Sequence, residues 1–166
     1  MKIHTRGNAR NDFLDILASK EAGELIGDTF LGLDLHGESL IGVDFYRCIF
    51  DNSIFYQCDL SKADLRDTSL QNTDFRQTIL RLTKFERANC RQSKFNDARV
   101  TLAKFNDAML VHVNFSGAVL HGVQFQRADL TGAIFENAIL KNCDFSGADL
   151  TGVNFTTEQQ NSIKKI

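Results

Sequence analysis

Hydrophobic residues recur in this chain every five positions. From Leu25 to Phe155 the series holds 27 residues, of which thirteen are Phe and twelve are Leu, with Cys90 and Val100 completing it. Thirteen of the 14 Phe share this one phase, and no insertion breaks it. Two residues before each centre, from Val43 to Val153, only Ala, Val, Cys, Ser and Thr occur. Two residues after the centres stand nine of the 11 Gly: Gly27, Gly32, Gly37, Gly42, Gly117, Gly122, Gly132, Gly147 and Gly152.

A period of five suits neither common element by itself. On a helix it rotates the apolar positions by about 140° per step, and along one long strand it alternates between faces. It fits short extended pieces joined by corners. The centre and the residue two before it then point inward, and the corner takes Gly because Gly tolerates positive φ. Fourteen successive corners, Arg47 to His112, lack Gly, which predicts that the middle turns differently from the two ends.

From Phe75 to Phe155, Phe returns every ten residues. A fifteen-residue coil would set Phe on Leu at every layer. A twenty-residue, four-sided coil stacks like on like, with Phe ladders on two opposite faces and mostly Leu ladders on the other two. At roughly 4.8 Å per layer the pentads build a rod of roughly 30 Å. The organisation predicted is an N-terminal segment over residues 1–24 carrying a capping helix, the repeats over 25–156, and a C-terminal cap over 157–166. Residues 11–22 read as an amphipathic helix with Phe13, Leu14, Leu17 and Ala18 on one side, Asn11 as N-cap and Gly23 as stop. Thr157-Glu158-Gln159-Gln160 fits a capping box, and a short helix through Ile163 and Ile166 would cover Phe155. An uncovered last coil would invite pairing, so the chain is expected as a monomer or an end-to-end homodimer.

The pentads Ala63-Asp64-Leu65, Ala128-Asp129-Leu130-Thr131-Gly132 and Ala148-Asp149-Leu150-Thr151-Gly152 follow the motif A-[D/N]-[L/F]-x-x. In these the chain resembles the pentapeptide-repeat proteins. The resemblance implies an all-β fold, a right-handed quadrilateral parallel β-helix. It does not imply one function. Some cyanobacterial members are similar regulators that bind other proteins, whereas quinolone-resistance members imitate DNA and bind a type II topoisomerase.

Composition narrows the classes. With 43% hydrophobic and 24% charged residues the chain can bury a core, and a net charge of -2 over 166 residues sets no global field for nucleic acid. No apolar run approaches the roughly 20 residues of a membrane helix, and Met1 to Arg6 lacks a secretory h-region. A cytoplasmic protein with no membrane contact is expected. All four Cys fall in inward phases without C-x-x-C spacing, so they read as core filler. His36, His112 and His121 map to different faces, so no metal site is expected. Asp44/Asp64 and Asp129/Asp149 stack one coil apart, and paired carboxylates can serve acid–base chemistry, but Asp at this phase is the repeat's own preference. No phosphate-binding Gly loop, nucleophile elbow or inserted loop is present. No enzyme activity, catalytic residue or cofactor is expected.

Two surface features stand out. Residues 1–75 carry 7 basic and 13 acidic groups, residues 76–104 carry 8 and 2, and residues 105–166 carry 4 and 6. The basic set is Arg76, Arg81, Lys84, Arg87, Arg91, Lys94, Arg99 and Lys104, a belt spread over all four faces. It reads either as solvated surface with salt bridges such as Asp74 over Lys94, or as a site for an acidic protein partner. A belt cannot follow a nucleic-acid groove, and no exposed aromatic interleaves it, so nucleic acid is not expected. The second feature is an outward apolar set, Ile79, Leu82, Leu102, Val119 and Ile139, on the face centred at Leu80, Val100, Leu120 and Leu140; a contiguous patch suggests an interface. Tyr46, Ile49, Ile54 and Tyr56 form a weaker candidate. The coil centred on Phe85, Cys90, Phe95 and Val100 looks under-filled, which predicts a soft middle. The function expected is a non-enzymatic, regulatory protein-interaction rod with an unidentified protein partner. A DNA-mimic inhibitor or protector of DNA gyrase and a structural assembly module are the alternatives. The net charge, the belt and the lack of loops depart from the DNA-mimic pattern.

Overall fold

The computed structural model describes residues 9–19 and 25–163. Its elements are α1 (Ala9–Ala18), β1 (Arg99–Thr101), β2 (Val119–His121), β3 (Ile139–Lys141) and α2 (Thr157–Ser162). Between the helices almost every pentad is too short for a strand and makes a single parallel bridge to the pentad twenty residues on, from Thr29 with Ile49 to Asp129 with Asp149. Each coil is therefore twenty residues and four pentads long. From Phe30 to Leu130 the centres donate their N–H to a carbonyl nineteen residues ahead, as Phe75 does to Lys94 at 2.7 Å, and the residue before a centre donates to one 21 residues back, as Asp74 does to Ser53 at 3.0 Å. The backbone is thus paired from coil to coil, as a buried backbone must be.

Four faces follow, each with its own column of centres. The first holds Phe45, Phe85, Phe105, Phe125 and Phe145, and the third holds Phe55, Phe75, Phe95, Phe115, Phe135 and Phe155. Rings within a ladder stack, with centroids 4.8 Å apart for Phe75 and Phe95 and 4.9 Å for Phe95 and Phe115. Rings of opposite ladders meet edge to face, 5.8 Å apart for Phe95 and Phe105. Both geometries suit the ring quadrupole. The second and fourth faces are mainly Leu. The coil with Cys90 and Val100 is not loosened. Both side chains are fully buried, and the Phe85–Phe105 stack there is the tightest ring contact, at 4.5 Å.

The corners turn alike throughout, contrary to the expectation of a different middle. The residue two after the centre has positive φ at all the Gly corners, 64° to 79°, and at seventeen non-Gly corners from Arg47 to Asn142, 53° to 63°. A left-handed L-residue costs about 1 kcal/mol, and the coil-to-coil bonds of the same corner offset it. What distinguishes the corners is the side chain beneath. A Cβ on Gly122 would lie 2.7 Å from Leu102 Cδ2, so Gly there makes room for the residue one coil below.

The inward Ser and Thr are explained by corner carbonyls. Ser93 Oγ accepts from Thr73 N at 3.1 Å and donates to Leu70 O at 2.5 Å, closing a corner of the coil below through its hydroxyl. Ser53 does the same for Leu33 N and Phe30 O. Cys48 and Cys58 donate to Leu25 O and Leu35 O in the equivalent way. Burial pushes their thiols up, to about 12 and about 11, so they stay protonated.

Both ends carry plugs. Phe13, the one Phe outside the five-residue phase, projects from α1 onto Phe30 and Phe45 with centroids 5.2 and 6.1 Å away. Arg10 pairs with Glu38 at 2.5 Å. Asn11 lies within α1 and is not its cap, and Ala18 is exposed, with Ile16 taking the partly buried place. Gly23 lies outside the described residues. At the other end the capping box starts at Thr156, one residue before the expected position, and Gln159 completes it. The Gln159 amide also donates to Phe135 O and Ala138 O at 2.8 and 2.9 Å. The helix stops at Ser162, with Ile163 as its C-cap, and Ile166 lies outside the described residues. Leu150, Val153 and Phe155 of the last coil remain partly exposed.

A ladder of alternating charge runs up one corner: Arg47, Asp67, Arg87, Asp107 and Arg127. Arg87 binds Asp67 and Arg127 binds Asp107 through paired 2.7 Å contacts, and these hydrogen bonds hold both carboxyls below their ordinary 3.8.

Two predictions follow from these contacts. Ser93→Ala strands a buried N–H and a buried carbonyl and should cost about 2 kcal/mol in denaturant unfolding. Ser116→Ala, at a half-buried outward position, should stay within about 0.5 kcal/mol; equal losses would remove the role given to the Ser93 hydroxyl. Because Asp67 and Asp107 are depressed in the fold, their stabilisation is complete above 3.8 and is lost as pH falls through their folded values. The melting temperature should fall on acidification below about pH 4. Asp67→Asn with Asp107→Asn, which keeps a residue tolerant of positive φ, should make that fall shallower.

Candidate functional site

The eight cations of the belt differ in how they are neutralised. Arg76 lies along Asp74 of its own pentad, with Nη2 2.6 Å from Oδ2, and its guanidinium stands 5.5 Å from the Tyr56 ring. Arg87 is held by Asp67, and Lys84 reaches Asp64 at 3.4 Å. Lys94 bridges to Asp74 in register but leaves its carboxylate to Arg76, so the expected Asp74–Lys94 salt bridge is replaced. Burial pushes the Asp74 carboxyl up, and the Arg76 hydrogen bonds and the Lys94 charge bring it below its ordinary value. Arg91, half-buried, points at Asn89 Oδ1 and Met109 Sδ. Arg81, Arg99 and Lys104 are exposed and form no ion pair among the described residues.

Arg81 and Arg99 stand on the fourth face, centred on Leu80, Val100, Leu120 and Leu140, and Lys104 follows the Leu102 corner onto the next face. The same face carries the outward apolar set. One outer column reads Ile79, Arg99, Val119, Ile139 in direct register; the other, at the corner, holds Leu82 and Leu102. All five apolar residues are exposed, Leu102 at 47% and Ile139 at 60%. The fourth face is also where β1, β2 and β3 form a three-stranded parallel sheet in that order, which holds Arg99, Val119 and Ile139 in line. From Ile79 to Asn142 its outward positions include Arg81, Arg99 and Lys141 and no Asp or Glu. Each of the other three faces carries carboxylates over the same coils.

Leu82 and Leu102 are notable among the corners. Both have positive φ, 59° and 55°, a conformation that suits Asn, Asp or Gly better, and both are exposed. Their positions improve neither local backbone energy nor core burial.

The other candidates separate. Tyr46 lies on the first face beneath Arg47 and Arg66, 5.0 and 5.6 Å from their guanidinium carbons, whereas Ile49 is on the second face and Ile54 and Tyr56 are on the third, so no patch forms. Asp44, Asp64, Asp129 and Asp149 each accept the N–H two residues on, at 2.9 to 3.2 Å, which is the local reason the repeat favours Asp there. Among the described residues no group of three metal-ligating side chains assembles, and no helix is long and apolar enough to cross a membrane. Sequence reasoning missed the Arg47–Arg127 ladder and the pairing states of the belt. The ladder was readable by taking every twentieth residue; the pairing states were not, because they depend on side-chain reach.

Comparison with known proteins agrees with this architecture. The family described as pentapeptide repeats matches residues 118–156 in 8 copies, and the pentapeptide repeat region matches residues 36–105. No curated protein matches the chain by sequence. Among solved structures, the chain is similar to HetL of the cyanobacterium Nostoc sp. strain PCC 7120, a protein involved in heterocyst differentiation regulation: 21% identity over 90% of this chain and 75% of that one, TM-score 0.46. It is similar to Rfr23 of the cyanobacterium Cyanothece 51142 at 20% identity over 88% and 97%, TM-score 0.38. A trypsin-treated form of QnrB1, a plasmid-mediated fluoroquinolone resistance protein, shows 19% identity over 84% and 92%, TM-score 0.40. The five-residue period, the twenty-residue register and both family matches converge: the chain belongs to the pentapeptide-repeat family.

Proposed function

We propose that this protein is a non-enzymatic interaction scaffold that presents its fourth face to a protein partner of acidic character. One observation supports this most directly. The unpaired cations Arg81 and Arg99 and the exposed Ile79, Leu82, Leu102, Val119 and Ile139 share one face that holds no carboxylate from Ile79 to Asn142, the nearest being Asp59 one coil below Ile79, whereas Arg76 and Arg87 are ion-paired on other faces and the unpaired Arg91 and Lys94 stand away from these apolar side chains. Apolar side chains rimmed by unpaired charge suit a desolvated anchor with complementary electrostatics. The rod presents this surface pre-ordered, so docking loses little conformational entropy. Imitation of DNA has less support, because the exposed unpaired charge on this face is positive.

The test is recovery of partners from native lysate on the immobilised protein, read by mass spectrometry. Arg81→Gln with Arg99→Gln should lose a specific partner that Arg76→Gln with Arg87→Gln retains; the reverse pattern, or equal recovery by both, would sink the assignment. A second expectation concerns stability. Leu82→Asn with Leu102→Asn relieves two unfavourable backbone positions and should raise the unfolding free energy by about 1 kcal/mol while weakening the partner, a trade-off typical of residues kept for function. A destabilised double variant would mean that these leucines serve the fold.

A further inference from the structure

We infer that the fourth face receives an acidic amphipathic α-helix of the partner, laid along the rod axis; this rests on the docking reading above and specifies what docks. Most backbone groups of the face bond from coil to coil, so it offers an extended segment no continuous row of free partners. Arg99 N bonds Thr78 O, Leu80 N bonds Arg99 O, Val119 N bonds Ala98 O and Ile139 N bonds Ala118 O, at 2.8 to 2.9 Å. The corners do likewise, Leu82 N to Thr101 O and Leu102 N to His121 O. An added strand gains its affinity from free main-chain groups at a sheet edge, and here the exposed surface is the flat of the sheet, not its edge. A segment that buries apolar side chains against Ile79, Val119 and Ile139 must therefore satisfy its own N–H and C=O groups, and a helix does so.

Spacing agrees. The outer column advances by one layer of about 4.8 Å per coil, and a helix advances about 5.4 Å per turn. Over the three steps from Ile79 to Ile139 the mismatch accumulates to only about 2 Å, so each turn meets one coil, apolar at Ile79, Val119 and Ile139 and charged at Arg99. The Ile79–Ile139 and Leu82–Leu102 columns lie three residues apart, about 10 Å, close to the breadth of a helix. A helix seated between them puts its apolar stripe on both columns. Its flanks meet Arg99 on one side, Lys104 beyond the Leu102 corner on the other, and Arg81 and Lys141 between. Arg99 and Lys104 call for Asp or Glu on the helix flanks, and Arg81 and Lys141 for an acidic residue within the docked face. Phosphate chemistry fits less well, because a nucleic-acid backbone would lie over five exposed aliphatic side chains.

The probe is a display library of random peptides about 16 residues long, three to four helical turns, selected on the intact protein. Enriched peptides should carry apolar residues at i, i+3, i+4 and i+7 with Asp or Glu beside them, and should gain helical circular dichroism on binding. In fluorescence anisotropy the affinity of a selected peptide should fall at least about tenfold with Arg99→Glu, and similarly when proline replaces a central peptide residue. Leu102→Asn, which suits its corner's backbone, should also weaken binding while its melt shows an intact fold. Peptides that lose affinity to both protein variants yet tolerate the central proline would overturn the helix and leave the docking face standing. Failure of any peptide to enrich, or enriched peptides indifferent to both variants, would overturn the helix inference and count against the face itself.

Discussion

Everything in this molecule depends on one repeated hydrogen bond, from the N–H of a centre to the carbonyl nineteen residues ahead. It sets the coil at twenty residues. A coil of that length places Phe over Phe and Leu over Leu, so the ring spacing of 4.5 to 5.3 Å in the first and third ladders from Phe55 to Phe145 follows from the backbone layer. The backbone register and the side-chain stacking are mutually consistent, which is what allows a short unit to specify a fold. The same bonds hold Arg, Lys, Leu and His corners in a left-handed conformation that none of them favours alone.

The register also organises the outside. Residues twenty apart become neighbours, so outward positions form columns, and each column is a local electrostatic environment. Arg87 and Arg127 pair with Asp67 and Asp107 at one corner, and the Asp before the first- and third-face centres captures Arg66 and Arg76. Charge that looks like a belt along the chain is thereby divided into paired and unpaired groups. Isolated exposed pairs contribute little to stability, but they remove cations from competition for a partner. Of the belt cations left without an ion pair, Arg81 and Arg99 stand beside the apolar side chains of the fourth face with Lys104 just past its corner, while Arg91 and Lys94 lie on the second and third faces.

That face illustrates how a solenoid of this kind can carry function without loops. Its inward centres and coil-to-coil bonds provide most of the stability, so its outward side chains are less constrained by folding. Leucine at the left-handed corners 82 and 102 therefore stands out as a choice the fold does not require. The three-stranded sheet β1–β3 keeps the outer column straight where it carries Arg99, Val119 and Ile139.

The chain alone determined the period, the inward phases, the four-sided coil and the capping role of Phe13, because these depend on spacing and on the burial of apolar groups, and both are written in residue order. It also indicated the basic set and the apolar set as separate features. Corner geometry was misread in the middle of the rod, since the absence of Gly says nothing about a φ imposed by bonds to coils above and below. Helix boundaries moved by a residue or more, as α1 begins at Ala9 and the second capping box at Thr156, because neighbouring side chains compete for the same end groups. The soft middle did not materialise: Cys90 and Val100 are fully buried and the Phe85–Phe105 stack of that coil is close, at 4.5 Å. Which cations are paired, and that the unpaired Arg81 and Arg99 are among those on the apolar face, was decided only in three dimensions, where side-chain reach across a layer of about 4.8 Å selects one partner among several.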